Sequence, residues 1–241
     1  MTKFLVSRQT SAEAAAAAAG EALNNLLAGR QERPTLLLLS AGSALGLLDY
    51  VNTKSTDGHL TVGMLDERYS SNPAINNFAR LQQTDFYARA METDTSFLGS
   101  LPRSGETPQQ LAARMENNLR SWQKDFPDGL IIATLGMGPD GHTAGMFPFP
   151  ENPGKFKQLF DNQHWIVDYD AGKKHQFAQR VTATAALLRQ VDVGLAYVCG
   201  TEKQAKLKEL LAGQTTEPAC LPALSWHGIK QITIFTDLEA V

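Results

Sequence analysis

The chain is expected to fold as a three-layer α/β protein, αβα, in which a mostly parallel sheet is covered by helices on both faces. Three observations predict this. Apolar runs rich in Leu, Ile and Val, such as TLLLLS and LIIATLG, recur along the 241 residues, and strands buried on both faces read as continuous hydrophobic runs. Segments of helical character separate these runs, as parallel strands joined by crossover helices require. No internal repeat, low-complexity linker or charge block divides the chain, so residues 1–241 are expected to form a single domain.

The elements follow in order. An alanine-rich helix is expected over residues 11–27. Glu13, Glu21 and Asn24 interrupt its alanine run and no basic segment precedes it, so it is a helix rather than a signal peptide. A strand over residues 35–40, a helix over 45–51 and a strand over 60–65 come next. Residues 70–105 are the least regular stretch and are expected to form a short helical insertion near the site. Thr107 with Gln110 has the spacing of a capping box, which opens a helix ending at residue 123. Further strands are expected over 130–136, 165–169, 193–198 and 231–235, and helices over 182–190 and 201–211.

Composition excludes several classes of function. The net charge of −3 provides no broad basic field for nucleic acid or anionic membrane. Cys199 and Cys220 form no metal-binding or disulfide pattern and are expected to be small buried hydrophobes in a reducing compartment. No apolar stretch reaches the ~18 residues of a membrane span. A cytoplasmic protein, monomeric or weakly dimeric, is therefore expected, with neither nucleic acid nor membrane as a partner.

The candidate site is the loop after the strand at 130–136, LGMGPDGHTAGMFP. It leaves the carboxyl end of a buried strand, where open α/β sheets bind their ligands. Gly136, Gly138 and Gly141 permit backbone angles closed to other residues, and Pro139 fixes one more, so the turn can aim amides and His142 at a bound group. Asp140, two residues before His142, can reach a substrate or orient the imidazole in such a turn. Ser40, Ala41, Gly42 and Ser43 follow the first predicted strand, where free amides and hydroxyls make an anion cradle. Asp66, Glu67 and Arg68 end another apolar strand and crowd the same crevice, as substrate contacts. His59, His164, His175 and His227 show no partner pattern and are expected to be surface or structural.

GMGPDGHTAGMFP resembles the GxGPDGHTAxLFP motif of 6-phosphogluconolactonases, which share a modified Rossmann-like fold with glucosamine-6-phosphate deaminases and ribose-5-phosphate isomerases. The resemblance continues in order through LLLLSAGSALGLLDYV, MLDERYSSN, RVTAT, CGTEKQAKL and the terminal LPA. It implies hydrolysis of 6-phospho-D-glucono-1,5-lactone without metal or organic cofactor. His142 would be the general base on water, Asp140 and Arg68 its catalytic partners, and Ser40, Gly42, Ser43, Asp66, Glu67, Gly141, Arg180 and Lys203 the substrate and phosphate contacts. The family's phosphate loop usually reads SGGSTP. Ala41, Ala44 and Leu45 replace a glycine, the threonine and the proline, and the lost hydroxyl should weaken phosphate binding by about 1 kcal/mol.

Two alternatives stand beside this reading. Glucosamine-6-phosphate deaminases carry an acid where this chain has Phe147 and favour a tyrosine where it has Arg68. A non-catalytic sugar-phosphate sensor of the same fold would have no need of the Gly-Pro-Asp-Gly-His turn, and no helix-turn-helix segment precedes it here.

Overall fold

The computed structural model describes residues 4–29, 33–53, 59–70 and 72–239. In chain order the elements are β1 (Leu5–Arg8), α1 (Ala12–Ala28), β2 (Thr35–Leu39), β3 (Leu60–Met64), β4 (Asp66–Arg68), α2 (Asn77–Leu81), α3 (Asp85–Met91), β5 (Ser96–Leu98), α4 (Pro108–Asp125), β6 (Leu130–Gly136), α5 (Pro153–Phe160), β7 (Ile166–Asp170), β8 (Gln179–Ala183), α6 (Ala185–Leu188), β9 (Val193–Tyr197), α7 (Gln204–Ala212) and β10 (Gln231–Thr236). Short 3₁₀ helices occupy Gly42–Tyr50, Gly172–Lys174, Thr201–Lys203 and Pro222–Gly228.

A seven-stranded, wholly parallel sheet has the order β1-β10-β9-β6-β2-β3-β5. Its apolar runs divide between two faces with the period of two that a pleated strand imposes. Leu36, Leu38, Ile131, Ala133 and Leu135 pack with Leu111, Met115 and Trp122 of α4. Leu37, Leu39, Val62 and Ile132 pack on the other side with Ala15, Ala19 and Leu23 of α1. Helices therefore cover both faces, as the continuous runs required.

The helix starts follow from capping. Ser11 accepts from the Ala14 amide at 3.1 Å to open α1. Thr107 and Gln110 form the reciprocal capping box, at 2.8 and 3.2 Å, and Pro108 occupies the first turn of α4. Among the described residues no helix is long and apolar enough to cross a membrane.

The structure departs from expectation in several places. The strand expected at 165–169 forms, as β7, but in a separate antiparallel sheet of order β4-β8-β7. The helix expected over 182–190 forms in shortened form, as α6. Its first residues belong to β8, because Val181 and Thr182 are held between ladders to β4 and β7, and Thr184 then caps the short α6. The helix expected over 45–51 is a 3₁₀ helix that starts at Gly42. The 70–105 insertion contains α2 and α3 but also β5, which pairs with β3 at the sheet edge. β1 and β4 were not anticipated, since runs this short have no measurable period.

Leu65 joins the two sheets. Its amide donates to the Leu39 carbonyl of the parallel sheet at 2.9 Å, and its carbonyl accepts from the Ala183 amide of the small sheet at 2.8 Å. The chain thus steps from β3 to β4 without a loop, and β4 lands over the carboxyl end of β2.

Gly20 sets the spacing of the α1 layer. A Cβ on Gly20 would lie 2.5 Å from Tyr50 Cβ and 3.0 Å from the Leu47 carbonyl. Alanine is better than glycine in a helix interior by about 1 kcal/mol, yet Gly20→Ala should destabilise the fold by about 1–3 kcal/mol through overpacking. Thermal unfolding of the variant should show a lower midpoint; an equal or higher one would mean that α1 is free to move outward.

Candidate active site

Three loops and the small sheet enclose a cleft of about 230 Å³ at the carboxyl ends of β2 and β6. The glycine-rich turn after β6 forms one wall. The Gly138 amide donates to the His142 carbonyl and the Gly141 amide to the Gly138 carbonyl, each at 2.9 Å. A Cβ on Gly138 would meet His142 Nδ1 at 2.1 Å, so only glycine lets the imidazole lie over the turn. Asp140 Oδ1 accepts from the His142 amide at 3.1 Å and faces Nδ1 at 2.6 Å. That contact puts the proton of the neutral ring on Nδ1 and leaves Nε2 as the basic atom. Burial by itself raises the Asp140 carboxyl, but the hydrogen bonds and charge of His142 outweigh it and hold the group below its usual range.

The turn is fastened on every side. Thr143 Oγ1 donates to the Gly136 carbonyl at 2.8 Å and accepts from Trp226 Nε1 at 3.0 Å. Tyr169 donates to the Gly145 carbonyl at 2.5 Å, and Thr182 donates to the Ala144 carbonyl. Gly145 has φ +81°, and a Cβ there would strike Thr182 Oγ1 at 2.5 Å and Asp66 Cβ at 2.9 Å. The loop can close onto the small sheet only because that position has no side chain.

The second wall is cationic. Arg68 of β4 and Arg180 of β8 are direct cross-strand partners. Arg180 is 4% exposed and pairs through Nη2 with Asp66 Oδ2 at 2.5 Å, while its Nε and Nη1 have no hydrogen-bond partner among the described residues. Asn77 Nδ2 also donates to Asp66 Oδ2, at 3.0 Å. Arg68 lies over the Phe177 ring at 5.3 Å, and its Nε likewise has no partner among them. Burial, then the charge of Arg180, lowers the Arg68 pKa. Across the cleft, Lys203 Nζ donates to Ser43 Oγ at 3.3 Å, and the buried hydroxyl of Ser40 has no partner among the described residues. Among the described residues neither Arg68 nor Lys203 has a carboxylate within ion-pair distance.

Of the residues singled out in the sequence, Ser40, Gly42, Ser43, Asp66, Arg68, His142, Arg180 and Lys203 line this cleft, with Asp140 behind His142. Glu67 and Gly141 do not line it. Glu67 is fully buried and faces away, accepting from the amides of Arg68, Asn77 and Phe78 and from Ser100 Oγ. Gly141 makes the turn, with φ +85° and its carbonyl bonded to the Ala223 amide. Ala41 is in the cleft wall, whereas Ala44 is buried beneath it, 3.7 Å from where a Cβ on Gly136 would lie. Asn77 lay in the irregular insertion with no motif to mark it. His175, expected to be surface or structural, stands beside the site, its ring 5.3 Å from that of Phe147. Among the described residues no group of three or more His, Cys, Asp or Glu side chains is arranged to hold a metal ion.

A parallel sheet carrying an Asp-bound histidine and a cationic cleft at its strand ends is the arrangement of an open α/β enzyme. Comparison with known proteins narrows the class. The profile of the glucosamine-6-phosphate isomerase/6-phosphogluconolactonase family matches residues 7–231. The chain is similar to the 6-phosphogluconolactonase of Pseudomonas aeruginosa, 27% identical over 209 residues that cover 84% of this chain and 83% of the relative. It is 29% identical over 165 residues to the human 6-phosphogluconolactonase, covering 68% of this chain and 59% of that one. The crystal structure of a 6-phosphogluconolactonase from Shewanella baltica superposes with a TM-score of 0.74 at 17% identity, covering 98% of this chain and 97% of the other. The chain belongs to the glucosamine-6-phosphate isomerase/6-phosphogluconolactonase family.

Glu67 makes a pH-dependent contribution to the fold. Burial raises its pKa to about 7 against the opposing hydrogen bonds from Phe78, Asn77 and Ser100, and the charge of Asp66 raises it further. The folded state therefore holds this proton where the unfolded chain has released it, so the associated stability is fully present below about 4.5 and is lost as pH rises through about 7. Glu67→Gln removes the titration and turns an amide NH₂ toward donors, at a cost of about 1–3 kcal/mol. Urea unfolding across that window should give a flatter pH dependence for the variant; the wild-type slope retained in full would assign the titration to another group.

Proposed function

We propose that this chain hydrolyses 6-phospho-D-glucono-1,5-lactone to 6-phospho-D-gluconate, as in the oxidative pentose phosphate pathway. The observation that carries this reading is a buried, incompletely bonded guanidinium, Arg180, in the same cleft as a histidine oriented by Asp140. Unpaired buried donors cost free energy, and a phosphate oxygen supplies the acceptors that Nε and Nη1 lack. Lys203, Ser40, Ser43 and the amides from Gly42 onward face the same anion.

The chemistry follows from the two walls. His142 Nε2 takes a proton from water as the oxygen attacks C1 of the lactone. Arg68 stabilises the negative charge that develops on the carbonyl oxygen. The bond from C1 to the ring oxygen then breaks, and the imidazolium returns its proton to that oxygen, leaving a hydroxy acid that ionises in solution. Asp140 holds the imidazole in the required tautomer and stabilises its cation.

The resemblance to glucosamine-6-phosphate deaminases receives less support from the geometry. At the position where those enzymes carry an acid, Phe147 places a buried ring 4.5 Å from the His142 ring.

The decisive measurement is lactone hydrolysis, corrected for the spontaneous reaction. His142→Ala should lower kcat by at least about a hundredfold, with the lactone still bound through its phosphate. Ammonia release from glucosamine 6-phosphate, or an unchanged lactonase rate in the variant, would overturn the reading.

A further inference from the structure

The loop of residues 171–178, between β7 and β8, reaches the residues of the cleft wall through two of its rings, Phe177 beneath Arg68 and His175 beside Phe147. Its base is closed by the Ala171 amide on the Ala178 carbonyl at 2.8 Å, and the Gly172 amide bonds Asp170 Oδ1 at 2.6 Å. Two rings from this loop continue a series of contacts that begins at His142. The His142 ring lies 4.5 Å from Phe147, Phe147 lies 5.3 Å from His175, and His175 lies 5.7 Å from Phe177. Arg68 then covers Phe177 at 5.3 Å. His175 is thus a second imidazole in a series of tilted ring contacts that runs from His142 to the Arg68 guanidinium, and it is only partly buried.

Its hydrogen bonding defines what it offers. His175 Nδ1 accepts from the Phe177 amide at 3.0 Å, so the neutral ring carries its proton on Nε2. Burial, then the charges of Arg180, Arg68 and His142, lower the His175 pKa against the opposing charge of Asp140. The ring is therefore a neutral N–H donor next to a cationic site, and it suits a hydroxyl oxygen better than a second anion.

We infer that His175 is a specificity-determining residue for the sugar, its Nε2–H donating to the C2 hydroxyl of the lactone. This rests on the lactonase reading, in which the phosphate occupies the end marked by Ser43 and Lys203. The reacting carbonyl then lies between His142 and Arg68, and C2, the hydroxyl-bearing carbon beside it, is turned toward the side on which His175 stands. A site built to bond a hydroxyl discriminates against the analogue that lacks it, because its donor is left without a partner.

The test compares hydrolysis of 6-phospho-D-glucono-1,5-lactone and its 2-deoxy analogue by wild type, His175→Ala and His175→Gln. Wild type should favour the hydroxylated lactone by about tenfold or more in kcat/KM, and His175→Ala should reduce that preference to about twofold or less, as loss of one hydrogen bond implies. His175→Gln, which keeps an N–H donor, should retain part of it. A wild-type preference that persists in His175→Ala overturns the inference, as does a loss equal in the alanine and glutamine variants, which would assign the effect to ring packing. Failure of wild type to hydrolyse either lactone overturns the lactonase reading itself, and the inference with it. The wild-type and variant arms therefore separate the two failures.

Discussion

The cleft depends on one buried ion pair. Asp66 and Arg180 sit on neighbouring antiparallel strands with their side chains 7% and 5% exposed, and charges so far from water persist only when paired and hydrogen-bonded. Removing one partner of such a pair typically costs about 3–5 kcal/mol, because the other charge is stranded. Asn77 adds a donor to the same carboxylate and so ties α2 to it. The glycine-rich turn then packs against the pair, with Gly145 fitted over Asp66 Cβ. The interaction that stabilises the small sheet is also the one that aims Arg180 at the cleft.

That arrangement makes the site asymmetric in charge. Asp66 compensates Arg180 on one edge of its guanidinium, while Arg68 and Lys203 remain without carboxylate partners among the described residues. Burial first, and then the neighbouring positive charges, lowers both the Arg68 and the His175 pKa values. His142 is served differently, by a carboxylate placed two residues away in a turn that only glycine at 138 allows. In the proposed hydrolysis the cationic wall would hold the anion and the His142 turn would move the proton.

The fold supplies this geometry through the step at Leu65. A parallel sheet delivers loops to the carboxyl ends of its strands, but loops alone are poor supports for a buried guanidinium. By bonding to β2 with its amide and to β8 with its carbonyl, Leu65 brings a second, antiparallel sheet over those ends. Arg68 and Arg180 are thereby carried on strands. Glu67, between Asp66 and Arg68 in β4, points the other way and anchors the start of α2.

The apolar runs at 35–40, 60–65, 130–136, 193–198 and 231–235 identified strands of the parallel sheet, because strands buried on both faces are hydrophobic along most of their length, although the run at 165–169 went to the antiparallel sheet. Thr107 with Gln110 and Ser11 marked helix starts for an equally local reason, since a cap bonds within its own turn. The Gly-Pro-Asp-Gly-His segment marked the principal loop, although of Gly136, Gly138 and Gly141 only Gly141 takes a positive φ, and Gly138 is needed for room beneath His142 instead. What the sequence alone left open was contact between distant segments. β4 and β8 have too few residues to show a period, and their strand character comes from pairing with each other across more than a hundred positions. Glu67 and Arg68 are adjacent charges in the sequence, and only the pleat of β4 sends one into the core and the other to the cleft. His175 had no motif to reveal it; its place beside Phe147 and Phe177 was decided by tertiary packing, where side chains far apart along the chain first come within reach.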